Sequence, residues 1–165
     1  VLREQFGIVD RREFLEGEIL DAALAVGIGI AMADEIDRIN VYQAALASMR
    51  RACKNLNLRP EHVLVDARII PRLDYPQTPI IQGDRLCFSI AAASILAKTY
   101  RDRLMRDYDR KYPGYGFARH KGYPTRQHRD AIRRLGPCPI HRRSFRLLPE
   151  DPHNSRRLPS LFPSE

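Results

Sequence analysis

Tryptophan is absent from this 165-residue chain and cysteine is scarce, with only Cys53, Cys87 and Cys138. The three are odd in number and far apart, form no CxxC pair and join no Cys/His cluster of zinc-finger spacing, which argues against a disulfide framework and a structural zinc site. No apolar stretch reaches the ~20 residues that span a bilayer, and no basic segment followed by an apolar run opens the sequence, so membrane insertion and secretion have no support. A cytoplasmic location is expected, with no membrane partner. An initiator methionine is lacking too: the sequence opens on Val1, and a natural start further upstream is expected. Acidic residues are outnumbered, 20 Asp and Glu against 28 Lys and Arg, giving a formal net charge of +8 and a pI near 9.8. Lys and Arg gain affinity for polyanions by releasing counterions condensed on phosphates, which puts nucleic acid ahead of an anionic membrane surface as partner.

What is present fits one globular domain: 44% hydrophobic residues provide for a real, though small, core. Arg11 to Leu24 reads as an amphipathic helix with Phe14, Leu15, Ile19 and Leu20 toward the core, closed by Gly27. Residues 25–31, small and apolar, read as a strand whose Gly27 and Gly29 admit a neighbouring backbone or helix at close range. A helical region follows from Asp34 through Gln43, Leu46 and Met49 to about Leu56, and Pro60 marks a boundary. His62-Val63-Leu64-Val65 is a buried parallel strand by pattern, ending on Asp66. A second such strand covers Pro79 to Asp84, with Ser89 as N-cap of a long helix from Ile90 to about Arg110. One more helix is expected from Thr125 to Leu135. Alternating strands and helices argue for an α/β fold. No internal repeat is visible, and the proline-rich end after Phe145 reads as a tail.

Chemistry concentrates on Asp66, at a strand end, and Asp102, on the long helix. Two hard carboxylates at one sheet edge suit Mg²⁺ or Mn²⁺, which take oxygen ligands and keep waters. From these residues alone a second account stands beside it: Asp66 caps the next turn, and Asp102 pairs with Arg101, Arg103 or Arg106 on a solvated face. His120, His128 and His141 are spread over loop and helix, and ligation of a hard ion by them is not expected. From Lys98 to Arg146 basic residues far outnumber acidic ones, the footprint of phosphate contacts.

Longer strings carry a family resemblance. Leu64-Val65-Asp66, Gln82-Gly83-Asp84, Ser89-Ile90-Ala91-Ala92-Ala93-Ser94-Ile95-Leu96-Ala97-Lys98 and Arg101-Asp102-Arg103 follow one another in the order seen in bacterial-type ribonuclease HII. Tyr112-Pro113-Gly114-Tyr115-Gly116-Phe117, His120-Lys121-Gly122-Tyr123-Pro124-Thr125 and His141-Arg142-Arg143-Ser144-Phe145 resemble the C-terminal half of the same family. The likeness runs from about Phe14 to Phe145.

This resemblance implies an RNase H-like α/β fold, a mixed sheet flanked by helices, over residues 1–146, with 147–165 as a flexible tail. It implies a metal-dependent endoribonuclease that cuts the RNA strand of RNA–DNA hybrids, or DNA duplexes at embedded ribonucleotides, leaving 3′-hydroxyl and 5′-phosphate ends. Asp66 and Asp102 match the third and fourth of the family's four catalytic carboxylates and its metal ligands, for Mn²⁺ or Mg²⁺. Tyr123 matches a tyrosine that packs on the sugar at the scissile junction, and Lys121 and Arg142 are the substrate-binding candidates within motif strings. The first two carboxylates belong to an Asp-Glu-Ala-Gly-Arg-Gly string on the N-terminal central strand, and this sequence does not contain that string. Ala67 stands where a glycine usually follows the third carboxylate, and Arg85-Leu86-Cys87 replaces a more polar stretch. Without the central strand its neighbours are expected to show unpaired backbone groups and an open apolar face. The alternative to an enzyme is a non-catalytic remnant that binds duplex nucleic acid through its basic half. A monomer is expected, and Leu161-Phe162 is similar to short peptides that dock into bacterial sliding clamps.

Overall fold

The computed structural model describes residues 8–148. In chain order these form α1 (Ile8–Ala22), α2 (Ala33–Ile39), α3 (Val41–Lys54), β1 (Val63–Asp66), β2 (Gln77–Ile80), α4 (Gly83–Leu86), α5 (Phe88–Lys111), α6 (Phe117–His120) and α7 (Arg126–Leu135). The expected strand-and-helix architecture is present, with a small sheet. β1 and β2 pair in parallel, Val63 against Gln77 through Asp66 against Ile80. Their connection packs inward at Ile70, 2% exposed, whose N–H and C=O are both engaged by the Gln77 side chain, at 2.8 and 3.0 Å. Among the described residues only one face of the sheet is covered, since Val65 is 4% and Leu64 43% exposed.

α5 is the spine, packing against α1, α4, α6 and β1. Its entry differs from expectation. Cys87, not Ser89, is the N-cap residue: its N–H donates to the Gly83 carbonyl at 2.8 Å while its own carbonyl accepts from Ala91 at 2.9 Å, so α4 runs into α5 at a single corner. At the far end Tyr115, Phe117, Ala131 and Ile132 make a buried cluster on which Tyr108, Tyr112, Cys138, Ile140, Leu147 and Leu148 pack.

Two sequence expectations need correction near the N-terminal end. The apolar stripe of α1 does not face a core: Phe14, Leu15 and Leu20 are exposed and Ile19 is half-buried, whereas Glu16 is the buried residue. Residues 25–31 form no strand, because no described segment offers them a ladder. They lie along α3 instead, where Asn55 Nδ2 donates to the Ile28 carbonyl at 2.7 Å and Arg51 Nη1 to that of Ile30 at 2.6 Å. The two glycines do serve a close approach, since a Cβ on Gly27 would lie 2.1 Å from the Ala52 carbonyl oxygen and one on Gly29 1.9 Å from that of Ser48. The helical region after Asp34 is broken at Asn40, whose positive φ of 68° turns the chain and whose Oδ1 caps α3 by accepting from Gln43 N–H.

All three cysteines are free. Among the described residues no helix is long and apolar enough to cross a membrane. Of the tail expected over residues 147–165, Leu147 and Leu148 pack on the buried cluster, and residues 149–165, Leu161 and Phe162 among them, lie outside the described residues.

Candidate active site

Asp66 ends β1, where the chain must turn away from its partner strand. Ala67 makes that turn at φ 61°, the conformation that explains why a glycine suits this position, and its N–H still donates to the Ile80 carbonyl at 2.9 Å. Asp66 Oδ1 accepts from the Gly83 N–H at 2.8 Å. Gln82 reaches that point through a left-handed φ of 57°, and a Cβ on Gly83 would sit 2.6 Å from Ile90 Cδ1, so that side chain would have to move to admit one. The Gln82-Gly83-Asp84 string is therefore a turn that presents a backbone donor to the carboxylate. Asp66 does cap a turn, but a turn brought to it by β2 and not its own.

Asp102 lies on α5 with its side chain 25% exposed, 3.9 Å from Arg12 Nη1 of α1. None of the neighbouring arginines on α5 is its ion-pair partner. Arg103 forms a two-pronged bond to Glu16, at 2.5 and 2.8 Å, Arg106 reaches Glu13 at 2.9 Å, and Arg101 turns to the Lys121 carbonyl at 3.0 Å. Buried Thr99 adds its hydroxyl to Glu16 at 2.8 Å. The Arg103 fork, helped by Thr99, holds the Glu16 carboxyl below the ordinary carboxylate range against the opposing effect of burial. Sequence reading missed Glu16, since a glutamate beside Leu15 on an amphipathic helix looks like a solvated position.

Tyr123 follows two consecutive left-handed residues, Lys121 at φ 51° and Gly122 at φ 79°. Its backbone is fixed from both sides: the N–H donates to the His120 carbonyl at 2.9 Å, and its carbonyl accepts from Thr125 N–H at 2.8 Å and from His128 Nδ1 at 3.0 Å. The ring stays outside, 59% exposed in residue terms, under the Arg101 guanidinium at 5.1 Å. Lys121 folds its ammonium back onto the Ala118 carbonyl at 2.5 Å. Arg142 lies over the Phe145 ring at 4.6 Å. Its loop is anchored by Asp37 of α2, which accepts from Arg143 N–H, Ser144 N–H and the Ser144 hydroxyl at 2.7, 3.0 and 2.5 Å. Burial acts against the Asp37 carboxylate, yet these bonds and the charge of Arg142 outweigh it and hold the group below its usual value.

The three histidines, distant in sequence, converge in the structure and are buried. His120 and His128 stack at 4.2 Å, and His128 Nε2 meets His141 Nε2 at 3.1 Å. Their partners assign each proton. His128 donates from Nδ1 to Tyr123, so its Nε2 accepts from His141, whose Nδ1 in turn accepts from Cys138 N–H at 2.9 Å. His120 donates from Nε2 to the Tyr115 carbonyl at 2.8 Å and accepts at Nδ1 from Gly122 N–H. With every ring nitrogen engaged, the cluster has no lone pair left to offer a metal ion. Burial pushes His128 and His141 below the ordinary imidazole value.

A wide, open and mostly apolar cleft of about 1900 Å³ has Asp66, Asp84, Arg101, Tyr123, His128 and Arg142 among its many lining residues, while Asp102 and Lys121 do not line it. The carboxylates are the hard oxygen donors that Mg²⁺ and Mn²⁺ take, and Mg²⁺ is often held by one or two carboxylates together with waters and substrate phosphates. In kind the donors fit; in number they make no cage, because among the described residues no group of three or more His, Cys, Asp or Glu side chains is arranged to hold a metal ion.

Comparison with known proteins identifies the family of the chain. The family model described as Ribonuclease HII matches residues 9–148. The ribonuclease HII of Anaeromyxobacter sp. (strain Fw109-5) is 55% identical over 139 residues, covering 84% of this chain and 44% of that protein. That of Myxococcus xanthus is 55% identical over 136 residues, covering 82% and 46%, and that of Moorella thermoacetica 54% identical over 136 residues, covering 82% and 66%. The chain thus spans about half to two thirds of the length of these curated relatives. The crystal structure of ribonuclease H2 from Pyrococcus horikoshii OT3 shares the fold, with a TM-score of 0.68 at 24% identity over 87% of this chain and 75% of that one. A matching family model over most of the chain, and relatives sharing more than half of their aligned residues with it, establish that the chain belongs to the ribonuclease HII family.

Proposed function

We propose that this chain carries part of the active site of a metal-dependent endoribonuclease acting on the RNA strand of RNA–DNA hybrids, or on ribonucleotides embedded in a DNA duplex. The observation that carries the proposal is Asp66, held at the C-terminal end of β1 by the Gly83 N–H, on the wall of a cleft shared with Tyr123 and Arg142. Open α/β sheets bind ligands at this edge. In the proposed reaction water adds to phosphorus, the bond to the 3′-oxygen breaks, and the products are a 3′-hydroxyl and a 5′-phosphate. Mn²⁺ or Mg²⁺, when bound by Asp66 with Asp102 contributing, would activate the water and stabilise the leaving oxygen. Tyr123 would rest on the sugar whose 2′-hydroxyl distinguishes RNA from DNA, and Arg142 and Lys121 would meet phosphates.

Anisotropy titration against two duplexes identical but for one ribonucleotide tests this reading. Tighter binding of the ribonucleotide duplex, lost in Tyr123→Ala, is expected, and equal binding of both duplexes by the unaltered chain sinks it. Cleavage by the chain alone is not expected, since the sequence has two of the family's four carboxylates. Metal-dependent turnover would show that expectation to be wrong.

The contact between Arg12 and Asp102 favours a second reading, in which Asp102 is an ion-pair member in a remnant that binds duplexes without cutting. The coding DNA upstream of the Val1 codon separates the two. An in-frame Asp-Glu-Ala-Gly-Arg-Gly string supports the enzyme, and a nearby stop codon the remnant. Docking of Leu161 and Phe162 into a sliding clamp is a separate proposal, and a clamp pull-down unaffected by deleting both residues would refute it.

A further inference from the structure

The Tyr123 backbone is bound on every side, but its ring is not: the turn that fixes where the ring begins leaves open where it points. Within that turn Lys121 and Gly122 both have positive φ, and Gly122 faces Arg101, whose Nη2 would lie 3.9 Å from a Cβ placed there. Arg101 is exposed on α5, yet its guanidinium is committed twice. One amino group donates to the Lys121 carbonyl at 3.0 Å, and Cζ lies over the Tyr123 ring, 5.1 Å from its centre. A guanidinium can do both at once because it is flat and its donors lie in its plane, whereas an ammonium is a point charge without a face. Arg101 also lies beside Asp102 in sequence, so the same turn of α5 that carries the carboxylate fixes the aromatic ring.

We propose that Arg101 is a positioning residue for Tyr123: by clamping both the Lys121 carbonyl and the ring, it sets the ring's angle over the cleft and thereby the chain's preference for a ribonucleotide over a deoxyribonucleotide. The proposal rests on the reading of Tyr123 as a sugar contact for its consequence, but not for the clamp itself. A simple phosphate contact by Arg101 would strengthen binding to both duplexes alike, because phosphate contacts carry no sugar information. A clamp acts on the ratio.

Two measurements separate these roles. Fluorine NMR of fluorotyrosine-labelled full chain, with the Tyr123 resonance assigned through Tyr123→Phe, reports the ring directly and needs no nucleic acid. Arg101→Met is expected to shift and narrow that resonance while leaving the Tyr115 resonance in place. Anisotropy titrations with the ribonucleotide and all-DNA duplexes then give the ratio of affinities. An exposed cation–π contact corresponds to about a two- to fivefold factor, so Arg101→Met is expected to lower the ratio by about that much. Arg101→Lys is expected to restore most of the affinity for both duplexes but not the ratio. A Tyr123 resonance unmoved in Arg101→Met overturns the clamp, and a ratio restored by Lys overturns the need for a planar group. If the unaltered chain prefers neither duplex, the sugar-contact reading and the selectivity claim fall together, and the fluorine spectrum alone judges the clamp.

Discussion

Replacing Glu16 with alanine is expected to loosen α1 from α5. With Phe14, Leu15 and Leu20 exposed, the attachment of α1 relies on its polar contacts, and Glu16 is the most buried of them. Removing one partner of a buried ion pair costs about 3–5 kcal/mol, chiefly because the other charge is left unpaired. Here the Glu16 side chain is 10% exposed but that of Arg103 is 49% exposed, so the freed guanidinium recovers much of its hydration. Thr99 also loses little, since its hydroxyl keeps the Leu96 carbonyl as acceptor at 3.0 Å. The expected loss is therefore about 2–3 kcal/mol, which at an m-value near 2 kcal/mol per molar moves a urea midpoint down by about 1 to 1.5 M. Amide exchange should quicken in α1 while α7, held by a separate core, is unchanged at low denaturant. Acidification gives an independent check. The folded Glu16 carboxyl lies below its unfolded value, so its contribution is full above about pH 4.5 and is lost as pH falls through the folded value. A midpoint shift under about 0.3 M, or α1 exchange no faster than before, would refute the view that this ion pair docks the helix.

Other outcomes follow from the same structure. His128 and His141 are held neutral by burial, so the unfolded state binds more protons just below pH 6.5; stability should be level above that and decline below it, and a urea midpoint at about pH 5.5 no lower than at about pH 7.5 contradicts this. Gly29→Ala must push residues 25–31 off α3, because the new carbon meets backbone atoms of Ser48 and Ala52 that cannot yield, and a loss of about 2–3 kcal/mol is expected in the same titration. Ala67→Gly relieves a left-handed alanine at some cost in unfolded-chain entropy, so an unchanged or higher melting temperature, by up to about 1 kcal/mol of stability, is expected.

Much of this arrangement was legible from the residues. The run Val63–Val65 ending on Asp66 forecast a parallel strand delivering a carboxylate; the second strand, expected from Pro79 to Asp84, instead runs from Gln77 to Ile80, because Gln82 turns left-handed and Gly83 opens α4. What failed did so for lack of a partner that a sequence does not display. The segment 25–31 has strand composition, but a strand exists only against a ladder, and here its carbonyls are taken by Arg51 and Asn55. The stripe of α1 has helix periodicity, but its apolar side meets no covering element among the described residues. Histidines far apart in sequence gave no sign of convergence, because the contact between His128 and His141 depends on how α7 and the following loop pack on Phe117. Asp102 looked paired with its own helix; the arginines beside it are spent on Glu13, Glu16 and the Lys121 carbonyl.

The contacts between α5 and α1 also set a limit on how the chain can change length. Thr99, Asp102, Arg103 and Arg106 all face α1, and their spacing is that of one helix stripe, the pattern expected of leucines but occupied here by polar groups. A helix turns about 100° per residue, so one residue added or deleted between Ser89 and Lys98 would swing the whole stripe away from α1 at once. Adding a full turn restores the angle but slides the stripe by about 5.4 Å, beyond the reach of any of these bonds. The first half of α5 is thus a fixed gauge: it can accept many substitutions, but neither gain nor lose a residue without uncoupling Asp102 and Arg101 from the elements they now face.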